Sequence, residues 1–237
     1  MIKRQYNKTI NWIEKNRFKL LLLSTVLTLV LPAFSGSGIL SEIIFVVTLS
    51  FLFIQSTVVA DVKKSKKIMM RILVISTIIL IWLKPVGYDS FFVEILKLSI
   101  FVSFFSYITL SLVRFIARSK VVTVNVLITS INIYLLIGII GASLCLAFYL
   151  IYPEAYNIPS YMSPPKFEHF LYYSFITMST VGYGDFTPRI PETQTLAYFL
   201  SITGQLYVAI IIAFLIGKLL MEGDHKKNKQ NTDEIND

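Results

Sequence analysis

Residues 171–188 read LYYSFITMSTVGYGDFTP, and the six letters TVGYGD at 180–185 decide how the rest of the chain is read. Glycine recurs at alternate positions, Gly182 and Gly184. An extended chain of L-residues points its carbonyls alternately to opposite sides. Glycine adopts φ > 0 at no steric cost, so glycine at every second residue lets successive carbonyls turn the same way. Such a row offers a dehydrated cation a substitute for its water shell. The coordinating oxygens would then be the carbonyls of Thr180, Val181, Gly182 and Tyr183, with the Thr180 hydroxyl. The Val181 and Tyr183 side chains would point away and pack behind. At about 5% usage per residue type, six specified residues arise by chance in only a few per million chains of this length.

The flanks extend the reading. Phe167–Met178 is apolar but too short to cross a bilayer, which takes about 20 residues. A short helix there would aim the negative end of its dipole at a cation held by TVGYGD. Non-spanning backbone at membrane depth is tolerated where it is buried in protein or lines water. After Pro188 and Pro191 a span covers Thr195–Leu220. Upstream, spans are expected at Phe18–Phe34, Ile39–Ala60, Ile68–Val86, Phe91–Val113 and Val126–Ile151. Of the 237 residues, 55% are hydrophobic and 15% charged, and the apolar blocks are continuous rather than alternating, which excludes a transmembrane barrel. The expected fold class is an all-α integral membrane protein of six transmembrane helices plus one re-entrant helix. Its organisation would be an interfacial amphipathic segment (1–17), a four-helix peripheral domain (18–113), a linker (114–125), a pore domain (126–220) and a polar tail (221–237), too short and polar to fold alone.

The net charge of +8 points to the membrane rather than to nucleic acid, because the cations gather at span ends. With the N-terminus inside, eighteen of the 22 Lys and Arg fall in cytoplasmic segments, and Lys84, Lys166 and Arg189 fall outside. This follows the positive-inside rule and predicts that both termini are cytoplasmic. Ile2, Tyr6, Ile10 and Ile13 recur at helical spacing, with Lys3, Arg4, Lys8 and Lys15 on other faces. The basic start is long for a secretory signal and further spans follow at once, so an uncleaved helix is read. A single cysteine, Cys145, excludes an intrachain disulfide and a thiolate zinc site.

LYYSFITMSTVGYGDFTP resembles the pore loop of the potassium channel superfamily, and GQLYVAIIIAFLIGKLL (204–220) resembles the inner helix of its bacterial members. The resemblance covers about residues 126–220; residues 1–125 match only in helix count. It implies a six-transmembrane, one-pore subunit of a homotetramer, with K+ as the permeant ion, no other cofactor, and the plasma membrane as its place. One loop cannot surround an ion, which independently calls for several copies. Thr180, Val181, Gly182 and Tyr183 match the family's cation sites, supported by Gly184. Asp185 matches the acidic residue of the outer mouth. Tyr172 and Tyr173 stand where many members have two tryptophans that brace the filter. Ile176 stands where some have a glutamate paired to the aspartate, so that pairing is absent. Gly204 stands where the family often has a gating glycine; a packing glycine between helices is the alternative.

A voltage sensor needs several basic residues on one helix. The fourth span offers Lys97 and then nothing basic until Arg114, so the regular arginine ladder is missing and no intrinsic voltage dependence is expected. Lys97 lies one turn from Glu94, within ion-pair reach. Competing classes are a transporter, a non-selective cation channel, an accessory subunit and a membrane enzyme. No internal repeat favours the transporter, no loss of GYG the non-selective channel, and no H-E-x-x-H or nucleophile elbow the enzyme; the accessory subunit stays open, because the sequence shows a filter but not an open gate. His169 and His225 are candidate proton sensors. The gating stimulus and any regulatory partner stay open.

Overall fold

The computed structural model describes residues 12–34, 38–60, 64–82, 90–119 and 121–236, so most of the amphipathic segment 1–17 lies outside the described residues. Helices α1 (Arg17–Phe34), α2 (Ile39–Val59), α3 (Lys64–Trp82), α4 (Phe91–Arg118) and α5 (Val124–Ile151) are followed by a short excursion. It comprises β1 (Tyr156–Asn157), a 3₁₀ turn (Ser160–Met162), α6 (Phe167–Met178) and β2 (Thr187–Pro188), before the long helix α7 (Pro191–Asn236). In lipid every backbone polar group must be satisfied within the protein, and apolar blocks of this length meet that demand as helices.

Among the described residues, four helical stretches are long and apolar enough to cross a membrane: α2 with 21 residues, and α4, α5 and the 191–218 part of α7 with 28 each. In α3 the apolar stretch is the shorter Met70–Trp82. The expected third span ended at Val86, and residues 83–89 lie outside the described residues. α1 has 18 residues and begins at Arg17.

Helix ends run furthest beyond the span ends in α4 and α7. α4 continues beyond Val113 through Arg114 to Arg118, which narrows the connection to α5 to residues 119–123. α7 begins at Pro191 and continues beyond Leu220 to Asn236. Hydropathy marks where lipid ends, whereas a helix continues through Arg and Lys, which are good helix formers. Pro191 starts rather than breaks α7, because the first helical position needs no N–H donor and suits proline's fixed φ.

α1 packs along α2 and α5, α4 lies on α5, and α5 carries α6 and α7. Phe53 of α2 meets Phe101, Phe104 and Phe105 of α4, with ring centroids 4.9–5.5 Å apart. The two ends of the bundle are tied by different groups. At one, the Asn132 amide donates to the Phe18 carbonyl at 3.0 Å and Lys218 Nζ donates to the carbonyls of Ile116 and Ser119. At the other, Phe167 at the start of α6 meets Phe45, and Lys166 stands 4.0 Å from Glu42. The start of α6 therefore lies at the end of the bundle where α2 begins, opposite the end where α1 begins.

Candidate functional site

α6 spans Phe167–Met178, the limits read from sequence. Its close seating depends on three positions without side chains. A Cβ on Gly138 would fall 2.4 Å from the Phe175 ring, and one on Gly141 would fall 2.5 Å from Ser174 Oγ. A Cβ on Gly204 of α7 would lie 2.0 Å from the Met178 carbonyl oxygen. Small residues let helices in a membrane approach closely. Ser174 uses the proximity to donate to the Gly138 carbonyl at 2.8 Å. Gly204 is thus accounted for by packing against the end of α6. Gly138 and Gly141 were not singled out from sequence; their signal was two glycines three apart in an otherwise bulky apolar helix.

The chain then reverses into TVGYGD. The amides of Thr180, Val181 and Gly182 donate back to α6, to the carbonyls of Thr177 (3.0 Å) and Ile176 (2.9 and 3.1 Å). These bonds tie the N–H groups of residues 180–182 to the end of α6. Backbone φ is positive at Thr180 (62°), Gly182 (49°) and Gly184 (81°). The left-handed positions therefore alternate over three residues, one more than the glycines announce. A threonine in this region carries strain of about 1–3 kcal/mol. Thr180 Oγ1 also accepts a hydrogen bond from Gln205 Nε2 of α7 at 3.4 Å, a contact with no signal in the sequence. Val181 and Tyr183 do not pack behind the loop within the chain: they are 53% and 73% exposed.

The loop leaves through Asp185. Tyr172 Oη donates to Asp185 Oδ2 at 2.7 Å, Tyr161 Oη does so at 3.4 Å, and the Phe186 amide donates to Oδ1 at 3.0 Å. The Tyr172 hydrogen bond is the main cause holding this carboxyl below the usual carboxylate range. Tyr173 behaves differently. It is buried in an aromatic cluster, its ring 4.8 Å from Phe186 and 5.4 Å from Tyr156. β1 and β2 close the excursion, pairing Tyr156 with Pro188 and Asn157 with Thr187. The buried Thr193 hydroxyl donates to the Ala155 carbonyl at 2.9 Å and fixes this clasp to α7.

Ile176 contributes its backbone carbonyl and no acid to this network. His169 Nδ1 accepts the Lys166 amide at 3.1 Å, and burial, with Lys166 adding to it, holds the imidazole below its ordinary value. His169 therefore serves the start of α6 as a neutral acceptor. The His225 side chain lies outside what is described. Among the described residues no group of His, Cys, Asp and Glu is arranged to hold a metal ion.

No curated protein and no solved structure matches the chain. Residues 121–221 match the family model described as "Ion channel". That interval contains α5, the excursion with TVGYGD and the apolar part of α7. The chain thus carries helices long and apolar enough to cross a membrane, and its residues 121–221 are similar to an ion-channel domain.

Proposed function

We propose that the chain is one subunit of a homotetrameric, potassium-selective channel that passes K+ passively through TVGYGD. One observation carries the reading: φ is positive at Thr180, Gly182 and Gly184 but not at Val181 or Tyr183 between them, while the amides of residues 180–182 are tied back to α6. That alternation is what aligned carbonyls require. The coordinating groups would be the carbonyls of Thr180, Val181, Gly182 and Tyr183 and the Thr180 hydroxyl. Gly184, Asp185 and Tyr172 support them, and the C-terminal end of α6 supplies negative potential at the foot of the loop.

Two features favour four copies around an axis. Val181 and Tyr183 are uncovered in a single chain. In its most apolar stretch α7 buries 11% of its residues, against 44% in α2, α4 and α5. A helix so little used by its own subunit is left to face partners and the pore. Six crossings, with α1 and α3 completing the four peripheral helices, would put both termini in the cytoplasm and α6 in the outer half of the plasma membrane. Voltage dependence is not part of the reading, since Lys97 is bound to Glu94 on its own helix.

The test is the reversal potential of the purified protein in a planar bilayer, with K+ on one side and Na+ on the other. Reversal near the potassium equilibrium potential supports the reading. Reversal near zero with unitary currents overturns the selectivity argument. Flux that saturates at low turnover would replace a channel by a transporter.

A further inference from the structure

A cleft opens between the peripheral helices and the start of α6, remote from TVGYGD. Its mouth holds five charged side chains: Glu42 of α2, Glu94 and Lys97 of α4, Lys166 just before α6 and Glu168 in its first turn. Below the mouth the walls are apolar, with Phe45, Val46 and Leu49 on α2 and Leu98 and Phe101 on α4. From Glu42 to Leu49 the apolar wall descends about 10 Å at 1.5 Å per residue. Charge over a deep apolar slot is the form of an amphiphile's site. An acyl chain leaves the bilayer for an equally apolar slot, so the headgroup decides which lipid is preferred.

The charges narrow the occupant. Lys97 Nζ is bound to Glu94 at 2.7 Å and both are largely buried, so neither is free for a ligand. Glu42 and Lys166 stand 4.0 Å apart and about 40% exposed, a loose pair that leaves both open to a third group. Glu168 has no ion-pair partner within 4.0 Å among the described residues. Burial pushes its carboxyl above the ordinary range; Lys166 opposes the shift and Glu42 adds to it. The mouth thus presents two carboxylates and one ammonium to a ligand. That set repels a net anionic headgroup and suits one that carries an ammonium beside a phosphate. A quaternary ammonium has no N–H to give the carboxylates, whereas a primary ammonium forms charge-assisted hydrogen bonds.

We propose that this cleft binds one phosphatidylethanolamine, its ammonium at Glu168 and Glu42, its phosphate at Lys166 and the upper part of one acyl chain between α2 and α4. The site requires only that this end of the bundle lie at a membrane surface, and it does not depend on potassium selectivity. Because Lys166 caps and Glu168 lies in the first turn of the helix that ends at Met178, two residues before Thr180, occupancy would be felt at the loop.

Trp82 provides the readout. It follows Ile81, which lines the cleft, and the chain's other tryptophan is Trp12. A W12F variant of the full chain leaves Trp82 as the sole tryptophan. It is reconstituted in vesicles doped with phosphatidylethanolamine or phosphatidylcholine brominated on the acyl chain. Bulk lipid quenches Trp82 alike with either headgroup, so the difference reports the cleft. The expected result is half-maximal quenching at roughly tenfold lower mole fraction of phosphatidylethanolamine, the effect of one hydrogen bond to a charged group. E168Q removes that preference, and E42Q, at an exposed position, reduces it. K166M weakens quenching by both lipids equally. Equal quenching by the two lipids in the W12F protein, stronger quenching by a brominated phosphatidylglycerol, or a preference that survives E168Q overturns the proposal. Potassium flux from the same vesicles is read separately: its loss of selectivity would sink the channel reading and leave the lipid preference standing.

Discussion

The Tyr172 hydroxyl donates a 2.7 Å hydrogen bond to Asp185 Oδ2, joining the helix before the TVGYGD loop to the acid that closes it. The family often assigns this bracing to tryptophan, and here a phenol reaches the same carboxylate. The neighbouring Tyr173 does not share the work. It faces away into the cluster with Tyr156 and Phe186.

The pH dependence of conduction tests that bond. A carboxyl with a depressed pKa stays ionised until the pH falls through the depressed value. The negative charge at the mouth is therefore kept through the usual carboxylate range, near pH 3.9, and lost below it. Y172F removes the largest cause of the depression, so the fall in unitary conductance on outer-side acidification should move to higher pH. D185N should abolish the titration. Superimposable pH profiles for Y172F and the unsubstituted protein would show that the bond does not set the charge.

Gly204 and Gly217 lie on the same helix and should respond to alanine with opposite signs. At Gly204 the new methyl would meet the Met178 carbonyl oxygen at 2.0 Å, whereas at Gly217 nothing lies within 4 Å. Overpacking typically costs about 1–3 kcal/mol, and G204A should lower the thermal stability of the assembly accordingly. G217A should be neutral or raise it by up to about 1 kcal/mol through helix propensity. If Gly204 acts only as a hinge, G204A will change opening and leave stability untouched.

Lys97 and Glu94 form an ion pair between residues one turn apart on α4, with Lys97 only 6% exposed. A charge gains about 2.3 kcal/mol per 100 mV across the membrane, but a pair on one helix moves as a neutral unit and gains nothing. The conductance–voltage curve should therefore be shallow, and K97M should not alter its slope. Stability is a separate matter. Removing one member of a buried pair costs up to about 3–5 kcal/mol, so K97M should be less stable than the double variant E94L/K97M. A steep curve in the absence of internal blocking cations would reverse the first conclusion.

Much of this architecture was legible because lipid imposes simple rules on sequence. Apolar runs of helical length gave the cores of α2, α4 and α5 to within a few residues, and Phe167–Met178 gave α6 at its true limits. The helix ends were less legible, since Arg114 and Arg118 signal the membrane surface while the backbone continues through them as helix. Within TVGYGD the two glycines announced two of the three left-handed positions. The third, Thr180, carries no such mark, because its conformation is imposed by amides tied to Ile176 and Thr177. Contacts such as Gln205 with Thr180 or Tyr161 with Asp185 join residues 25 and 24 apart, and no local pattern encodes them.

Lys218 links the long helix α7 to the end of α4. Its ammonium donates to the Ile116 carbonyl at 3.3 Å and to that of Ser119, and it lies 4.3 Å from the centre of the Phe214 ring. These carbonyls lie at the C-terminal end of α4, where a cation adds about 0.3–1 kcal/mol, and the ring contact adds about 0.5–1 kcal/mol. Together they latch the end of the membrane-length part of α7 to the connection between α4 and α5. K218M removes about 1–2 kcal/mol from this arrangement, a factor of about 5–30 in an equilibrium between two arrangements. The open probability of single channels should shift by that factor, while unitary conductance and reversal potential stay fixed, because Lys218 lies far along α7 from Thr180. K218R keeps the charge and the donors and should stay near the unsubstituted value. The opposite pattern, altered conductance with unchanged open probability, would place Lys218 on the ion path rather than at a latch.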